Sequence, residues 1–116
     1  MKIRFQADAN LDPDIGRGLQ RRAPTLDYRP ASGLIPDSMQ DLDVLKLAAA
    51  DGRLLVTADL RTMVGHFASF IESMDSPGLL LVPAWTPVGA VIEGVIMCWL
   101  SWDAEEMRNQ VRWLPR

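Results

Sequence analysis

The sequence predicts an α/β domain, a three-layer α/β/α sandwich in which helices cover both faces of a mainly parallel sheet. Three observations predict it. Short apolar segments of strand character alternate along the chain with segments of helical spacing, the order that builds βαβ units. One short segment, Leu79–Val82 (LLLV), is apolar without interruption, as expected of a parallel strand buried on both faces. Two others, Lys2–Ala7 and Arg53–Val56, run straight into the acidic turns Asp8-Ala9-Asn10 and Thr57-Ala58-Asp59. If those strands lie parallel, carboxylates from distant parts of the chain meet at the carboxyl edge of one sheet, where open α/β sheets hold their ligands.

In Lys2–Ala7, Ile3 and Phe5 alternate with Lys2, Arg4 and Gln6, the period of an extended segment. Asp12-Pro13 opens a helix to about Arg22, with Asp12 as N-cap, Pro13 at the first helical position, and Ile15 and Leu19 buried. Gly16 and Gly18 each weaken it by about 1 kcal/mol relative to alanine, so packing must hold it. After Ala23-Pro24, Thr25–Arg29 (TLDYR) is a brief, half-polar strand suited to a sheet edge. Pro30–Asp37 is a loop by its prolines and glycine. Ser38 is the next expected N-cap, with Asp41 three residues on in the manner of a capping box. The helix Met39–Ala50 is expected to bury Leu42, Leu45, Leu47 and Ala49, and Gly52 offers a left-handed cap before Arg53–Val56. Leu60–Met74 reads as a helix with Met63, Val64, Phe67, Phe70 and Ile71 inward, broken by Ser76-Pro77-Gly78. Thr86-Pro87 opens the helix Val88–Leu100. A short polar helix follows from Ser101, and Val111–Leu114 is a small closing strand.

With 116 residues, the chain is expected to be one domain spanning 1–116. A formal charge of -3 and a pI of about 5.0 exclude a globally basic protein that coats nucleic acid. An enzyme that cuts nucleic acid is not excluded, because a site that holds a cation must itself be acidic. The one cysteine, Cys98, allows no internal disulfide and fits a reducing cytoplasm. No secretory pattern opens the chain. The longest apolar region, Pro87–Trp102, is interrupted by Glu93 and falls short of the ~20 residues of a membrane span. A soluble cytoplasmic protein without membrane contact is expected.

Asp8, Asp41, Asp43 and Asp59 are the candidates for a shared site. Gathered carboxylates repel and raise one another's pKa, a penalty that a hard divalent cation removes. Each also has a local use: Asp8 and Asn10 in a turn, Asp41 answering Ser38 and the helix dipole, Asp59 capping the helix after it. Spacing leaves both readings open. Asp12, Asp14, Asp27, Asp37 and Asp51 read as caps, turns or solvated faces. Arg61 and His66 follow Asp59 within reach of a bound phosphate, and Lys2, Arg4, Arg17, Arg21 and Arg22 form a modest basic region that could track a backbone. Trp85, Trp99, Trp102 and Trp113 gather late in the chain, most of them expected in the core, any exposed subset as a protein contact.

KIRFQADANLDP together with DLDVLKLAAADGRLLVTADLRTM resembles the PIN-like domain family of unknown function, related to VapC-type toxin ribonucleases and the Mut7-C group. That family shows a strand ending in D-E-N-L-P, a D-x-x-[IL]-L helix and a strand ending in T-x-D. Here those places are held by Asp8-Ala9-Asn10-Leu11, by Asp41 with Val44-Leu45, and by Thr57-Ala58-Asp59. The closing VRWLP is also similar, so the likeness covers nearly the whole chain. It implies a PIN-like α/β/α fold and an acidic pocket binding Mg²⁺ or Mn²⁺ that cuts RNA. Asp8, Asp41 and Asp59 would be catalytic metal ligands, supported by Asn10, Asp43, Thr57 and Arg61. Ala9 replaces the family's usual acid, and only Asp75 stands near the place of a further late carboxylate. Fewer acids imply a weaker metal site.

The expectation is therefore a Mg/Mn-dependent ribonuclease, with the toxin half of a toxin–antitoxin pair as a setting. The alternative is a catalytically weak or inactive PIN-like protein that binds an antitoxin, another partner or a second copy of itself through its Trp-rich carboxyl half. A phosphoacceptor domain like a response regulator ranks below both, for want of a separate central phosphoacceptor strand and of a late lysine, Lys46 being the last.

Overall fold

Five strands form one sheet: β1 (Arg4–Ala7), β2 (Asp27–Arg29), β3 (Leu54–Thr57), β4 (Leu79–Leu81) and β5 (Val111–Trp113). The structure, a computed structural model, describes residues 1–115. The strand order is β2-β1-β3-β4-β5 and every neighbouring pair is parallel, with Phe5 opposite Leu54, Ala7 opposite Val56 and Thr57 opposite Leu81. Parallel neighbours require crossovers. The helices α1 (Asp14–Arg22), α2 (Asp41–Ala50), α3 (Met63–Phe70), α4 (Val88–Ser101) and α5 (Ala104–Met107) lie along these connections.

Side chains alternate across the sheet and divide the core in two. Phe5, Leu54, Val56 and Leu80 pack with Ile15 and Leu19 of α1 and Val91 and Val95 of α4. Leu55, Leu79 and Leu81 pack with Val44 and Leu45 of α2 and Met63 and Phe67 of α3. Each fully buried large side chain of this kind stabilises the fold by about 1.5–3 kcal/mol. The expected three-layer α/β/α arrangement is the one observed. Among the described residues, no helix is long and apolar enough to cross a membrane.

Several local expectations are corrected. Helix α1 begins at Asp14, with Pro13 in the cap position, while the Asp12 carboxylate accepts from the Asp14 N–H at 2.9 Å. At Gly18 the helix packs closely on α4, where an added Cβ would lie 2.3 Å from Ile92 Cδ1. Helix α2 begins at Asp41 rather than Met39, because Gln40 is extended, and Ser38 is exposed two residues outside that cap. Its buried stripe is Val44, Leu45 and Ala48. At 3.6 residues per turn Leu42, Leu47 and Ala49 fall beside that stripe, and Leu42 is exposed. Helix α3 is shorter than expected, burying Met63, Phe67 and Phe70 and leaving Val64 exposed. Thr86 does not cap α4; its hydroxyl donates to the Pro83 carbonyl, and Pro87 stands in the cap.

No tryptophan is fully buried. Trp85 is 98% exposed and Trp113 58%, while the half-buried Trp99 and Trp102 carry Lys2 and Arg112 on their faces at 4.4 and 4.7 Å. Four of the five basic amino-terminal residues are engaged within the chain, and Arg21 is exposed without an ion pair among the described residues. Lys2 donates to the Trp99 carbonyl, Arg4 to Asp27, Arg17 to Asp14 and Arg22 to Glu93. Asp27 also accepts from Arg53 at 2.7 Å, and the two arginines hold its carboxyl below the usual carboxylate range. Both β2 and β3 start beside this cluster, so it marks the amino edge of the sheet.

In the order β2-β1-β3-β4-β5 the chain moves outward from β1 to β2 and then returns across to β3. The reversal opens a crevice at the carboxyl ends of β1 and β3. Both acidic turns leave the sheet there.

Candidate functional site

Asp8 directly follows β1, and its N–H continues the pairing with β3 by donating to the Val56 carbonyl at 2.9 Å. Its side chain is buried and held at both oxygens. Oδ2 accepts from the Thr57 hydroxyl at 2.8 Å and Oδ1 from the Ala9 N–H at 2.8 Å. Burial pushes the Asp8 carboxyl above its ordinary range, the two donors pull it back, and the charges of Asp41 and Asp59 push it up again. The net direction is upward.

Thr57 and Asn10 tie the two turns together. Thr57 Oγ1 accepts from the Asp59 N–H at 3.0 Å and lies 3.5 Å from the Asn10 amide nitrogen, while Asn10 Oδ1 accepts from the Ala58 N–H at 3.2 Å.

Asp41, the first residue of α2, and Asp59, two residues past β3, meet through Thr62. The Thr62 hydroxyl lies 2.7 Å from Asp41 Oδ2 and 2.8 Å from Asp59 Oδ2. A hydroxyl has one proton, so it satisfies one carboxylate while the other faces a lone pair. A cation between the acids would relieve that contact. His66, one turn along α3, places Nε2 3.9 Å from Asp41 Oδ2, an attractive contact only when the imidazole is charged.

Other candidates stand apart. Asp43 lies about 200° around α2 from Asp41, is exposed and bonds none of these groups, so it does not support the site. Arg61 is exposed and without an ion pair among the described residues. Asp75 precedes β4, at the opposite edge of the sheet, where Arg108 and Asn109 bind it and hold its carboxyl low. It is not a further pocket acid.

Among the described residues no three histidine, cysteine or acidic side chains stand close enough to hold a metal ion. The site is a carboxylate pair, Asp41 and Asp59, with Asp8 coupled to it electrostatically but turned toward Thr57 and Ala9. That donor set does not suit a dehydrated cage. It does fit Mg²⁺, which keeps several waters and commonly takes only one or two carboxylates.

Asp8 also lines a cleft of about 270 Å³ that runs beneath Tyr28, Pro30 and Ile35. On the other flank of the Asp8–Asn10 turn a second cleft, of about 210 Å³, is bounded by Asn10, Ala58 and Trp85. Two residues of this region, Thr62 and Trp85, were not singled out from the sequence as site residues. The placement of Thr62 three residues after Asp59, at the start of a helix, was the available signal. For Trp85 there was none beyond the aromatic side chain.

The raised Asp8 pKa gives a pH test. Below about pH 3.8, the ordinary value of the group, Asp8 is protonated in folded and unfolded chains alike. Above it the folded chain keeps a proton at Asp8 that the unfolded chain releases, so this group's contribution to stability falls as pH rises through the raised pKa. Asparagine does not titrate. Its NH₂ forfeits one of the two accepted hydrogen bonds, a cost that is constant with pH. The melting temperature of Asp8→Asn minus that of wild type is therefore expected to increase from pH 4 to pH 7, whatever its starting sign. A flat difference in a thermal-melt series would show that burial does not control this carboxyl.

No family model, no curated protein and no solved structure matches this chain.

Proposed function

We propose that the chain is a Mg²⁺- or Mn²⁺-dependent ribonuclease of PIN-like type, acting on RNA phosphodiesters in the cytoplasm. The observation that carries this is the Asp41–Thr62–Asp59 contact, with Asp8 coupled to it, at the crevice where the sheet order reverses. A bound cation supplies an activated water and offsets charge on the phosphate. Asp41 and Asp59 would hold it, the Thr62 hydroxyl and the Thr62 N–H (3.4 Å from Asp59 Oδ1) orienting the two carboxylates. Asp8, with a raised affinity for protons and coupled by charge to Asp41 and Asp59, is suited to accept a proton from the attacking water. Thr57 and Asn10 fix Asp8 relative to Asp59.

The test pairs hydrolysis of mixed-sequence single-stranded RNA with thermal melting, each in EDTA and in Mg²⁺ or Mn²⁺. A ligand that binds only the folded state adds about 2.7 kcal/mol at a hundred times its Kd. Metal-dependent hydrolysis is expected, with a metal-dependent rise in melting temperature that Asp59→Asn diminishes. Absence of both at millimolar metal removes this proposal.

A second reading, an interaction protein on the same fold, is favoured by one observation. Met97, Leu100, Val111 and Trp113 are exposed on α4 and on the edge strand β5. Within the first reading the same surface is where an antitoxin or a second copy would sit. A complex that survives Asp59→Asn and is lost in Trp113→Ala, from a chain without hydrolysis, would establish the second reading instead.

A phosphoacceptor domain has less support, because the acid beyond the central strand β3 is Asp59 of the same pair and no lysine follows Lys46.

A further inference from the structure

Trp85 combines two costs that nothing in the packing of the domain repays. It is 98% exposed, and its backbone has φ +66°, the left-handed region that bulky side chains avoid. The other non-glycine residue in that region among those described, Asn109, explains itself. Asparagine tolerates the conformation, and its side chain accepts from the Ser76 N–H at 2.8 Å and donates to Asp75 at 3.2 Å. Trp85 has no such use.

The turn that carries it is firmly built. Val82 donates to the Thr57 carbonyl at 2.9 Å, so the segment leaves the sheet beside the residue that anchors Asp8. Pro83 to Thr86 then close a β-turn, the Thr86 N–H and hydroxyl both donating to the Pro83 carbonyl, with Trp85 in the third position. Turns with positive φ at that position call for glycine or asparagine. Here a tryptophan is displayed instead, at the edge of the 210 Å³ cleft that also contains Asn10 and Ala58.

The cleft indicates what the indole meets. Its volume is below the roughly 300–1,000 Å³ of pockets that enclose drug-sized molecules, a size suited to one flat ring of a larger ligand. None of its lining residues is basic and Asp12 is among them, which disfavours a phosphate and leaves a neutral ring. Asn10 gives one amide hydrogen to Thr57 and keeps the other without a protein partner among the described residues, available to a polar ring edge.

We propose that Trp85 is a stacking platform for one unpaired base of a single-stranded RNA, seated over the cleft beside Asn10 and next to the acidic crevice. The proposal rests on RNA being the molecule bound at this crevice. Base–aromatic stacking tolerates any sequence, because every base has a π face. Bases inside a duplex already have both faces stacked, so the platform serves unpaired bases.

The experiment measures fluorescence anisotropy of labelled eight-residue oligoadenylate and oligouridylate with phosphorothioate linkages, in Mg²⁺, against wild type, Trp85→Phe, Trp85→Ala and Trp85→Gly. Alanine and glycine are expected to weaken binding about five- to hundredfold, with phenylalanine close to wild type. Trp85→Gly is also expected to melt above wild type, because glycine adopts φ +66° without strain. A lower affinity in a more stable variant cannot come from misfolding. Equal affinities across the series overturn the proposal, as does a wild type that binds neither oligonucleotide. It is likewise overturned if Trp85→Gly leaves RNA binding intact and instead lowers self-association in sedimentation, which marks a protein contact. Trp85-dependent binding without hydrolysis under any metal removes the ribonuclease reading and leaves the platform standing. Hydrolysis with Trp85-independent binding does the reverse.

Discussion

Asp41→Asn and Asp59→Asn are each expected to lower metal-dependent RNA hydrolysis by more than about 100-fold, and Thr62→Val by about 10–100-fold, the usual cost of losing a group that orients metal-binding carboxylates. The ranking follows from one hydroxyl lying within 2.8 Å of an oxygen on each acid. Removing either carboxylate removes half of the pair, whereas valine keeps both and releases their orientation. The three positions are not buried, so folding should survive, and circular dichroism checks that directly. Asp43→Asn and Asp75→Asn serve as controls and are expected to retain full activity, because neither side chain touches the crevice. Initial rates over a Mn²⁺ titration separate the classes. A Thr62→Val rate that recovers at high metal indicates lost affinity, while one that stays low indicates a misplaced cation. Full activity in Asp59→Asn would dissociate this pair from any catalysis.

Gly78→Ala is expected to destabilise the fold by about 3–5 kcal/mol, among the largest effects of any single substitution. Gly78 precedes β4 with φ +120°, and a Cβ there would lie 2.4 Å from the Met107 carbonyl oxygen. That atom is backbone and cannot rotate away. The surrounding bonds leave little slack, since the Gly78 carbonyl accepts from the Leu55 N–H at 3.1 Å and its own N–H donates to Ser76 Oγ at 3.1 Å. Gly18→Ala provides the contrast. Its added Cβ meets Ile92 Cδ1, the far end of a flexible side chain, and alanine returns about 1 kcal/mol of helix propensity. A near-neutral result is expected there. Urea melts of the two variants measure the difference, and similar midpoints would contradict the account of the β4–α5 contact.

Several positions show why only part of the site was legible in the sequence. Asp8 and Asp59 were, because each terminates an apolar strand segment and a parallel sheet brings strand ends to one edge. Asp41 is a candidate by its acidity and only its motif distinguishes it from Asp43, since the sequence pattern puts the helix start at Met39 and the Ser38 cap it suggests does not form. Asp43 is an aspartate of the same helical turn as Asp41 and faces elsewhere by a rotation about the helix axis, which a linear pattern shows only once the helix has been seated. Thr62 was missed because a threonine at a helix start is ordinary. Its hydroxyl becomes important only where a second chain segment supplies Asp41. Trp85 was read with the other tryptophans as mostly core, because hydrophobicity gives the tendency to be buried and not the space available for burial.

By itself the sequence determined the alternation of strands and helices, the two-sided burial of LLLV, and the two acidic strand ends, since these depend on short-range periodicity and on the chemistry of neighbouring residues. Tertiary structure decided the rest. The order β2-β1-β3-β4-β5 set the acidic turns side by side, the seating of α2 and α3 joined Asp41 to Asp59 through Thr62, and the turn after β4 displayed Trp85 beside them. Each depends on contacts between residues far apart along the chain, whose geometry is fixed only when whole elements pack.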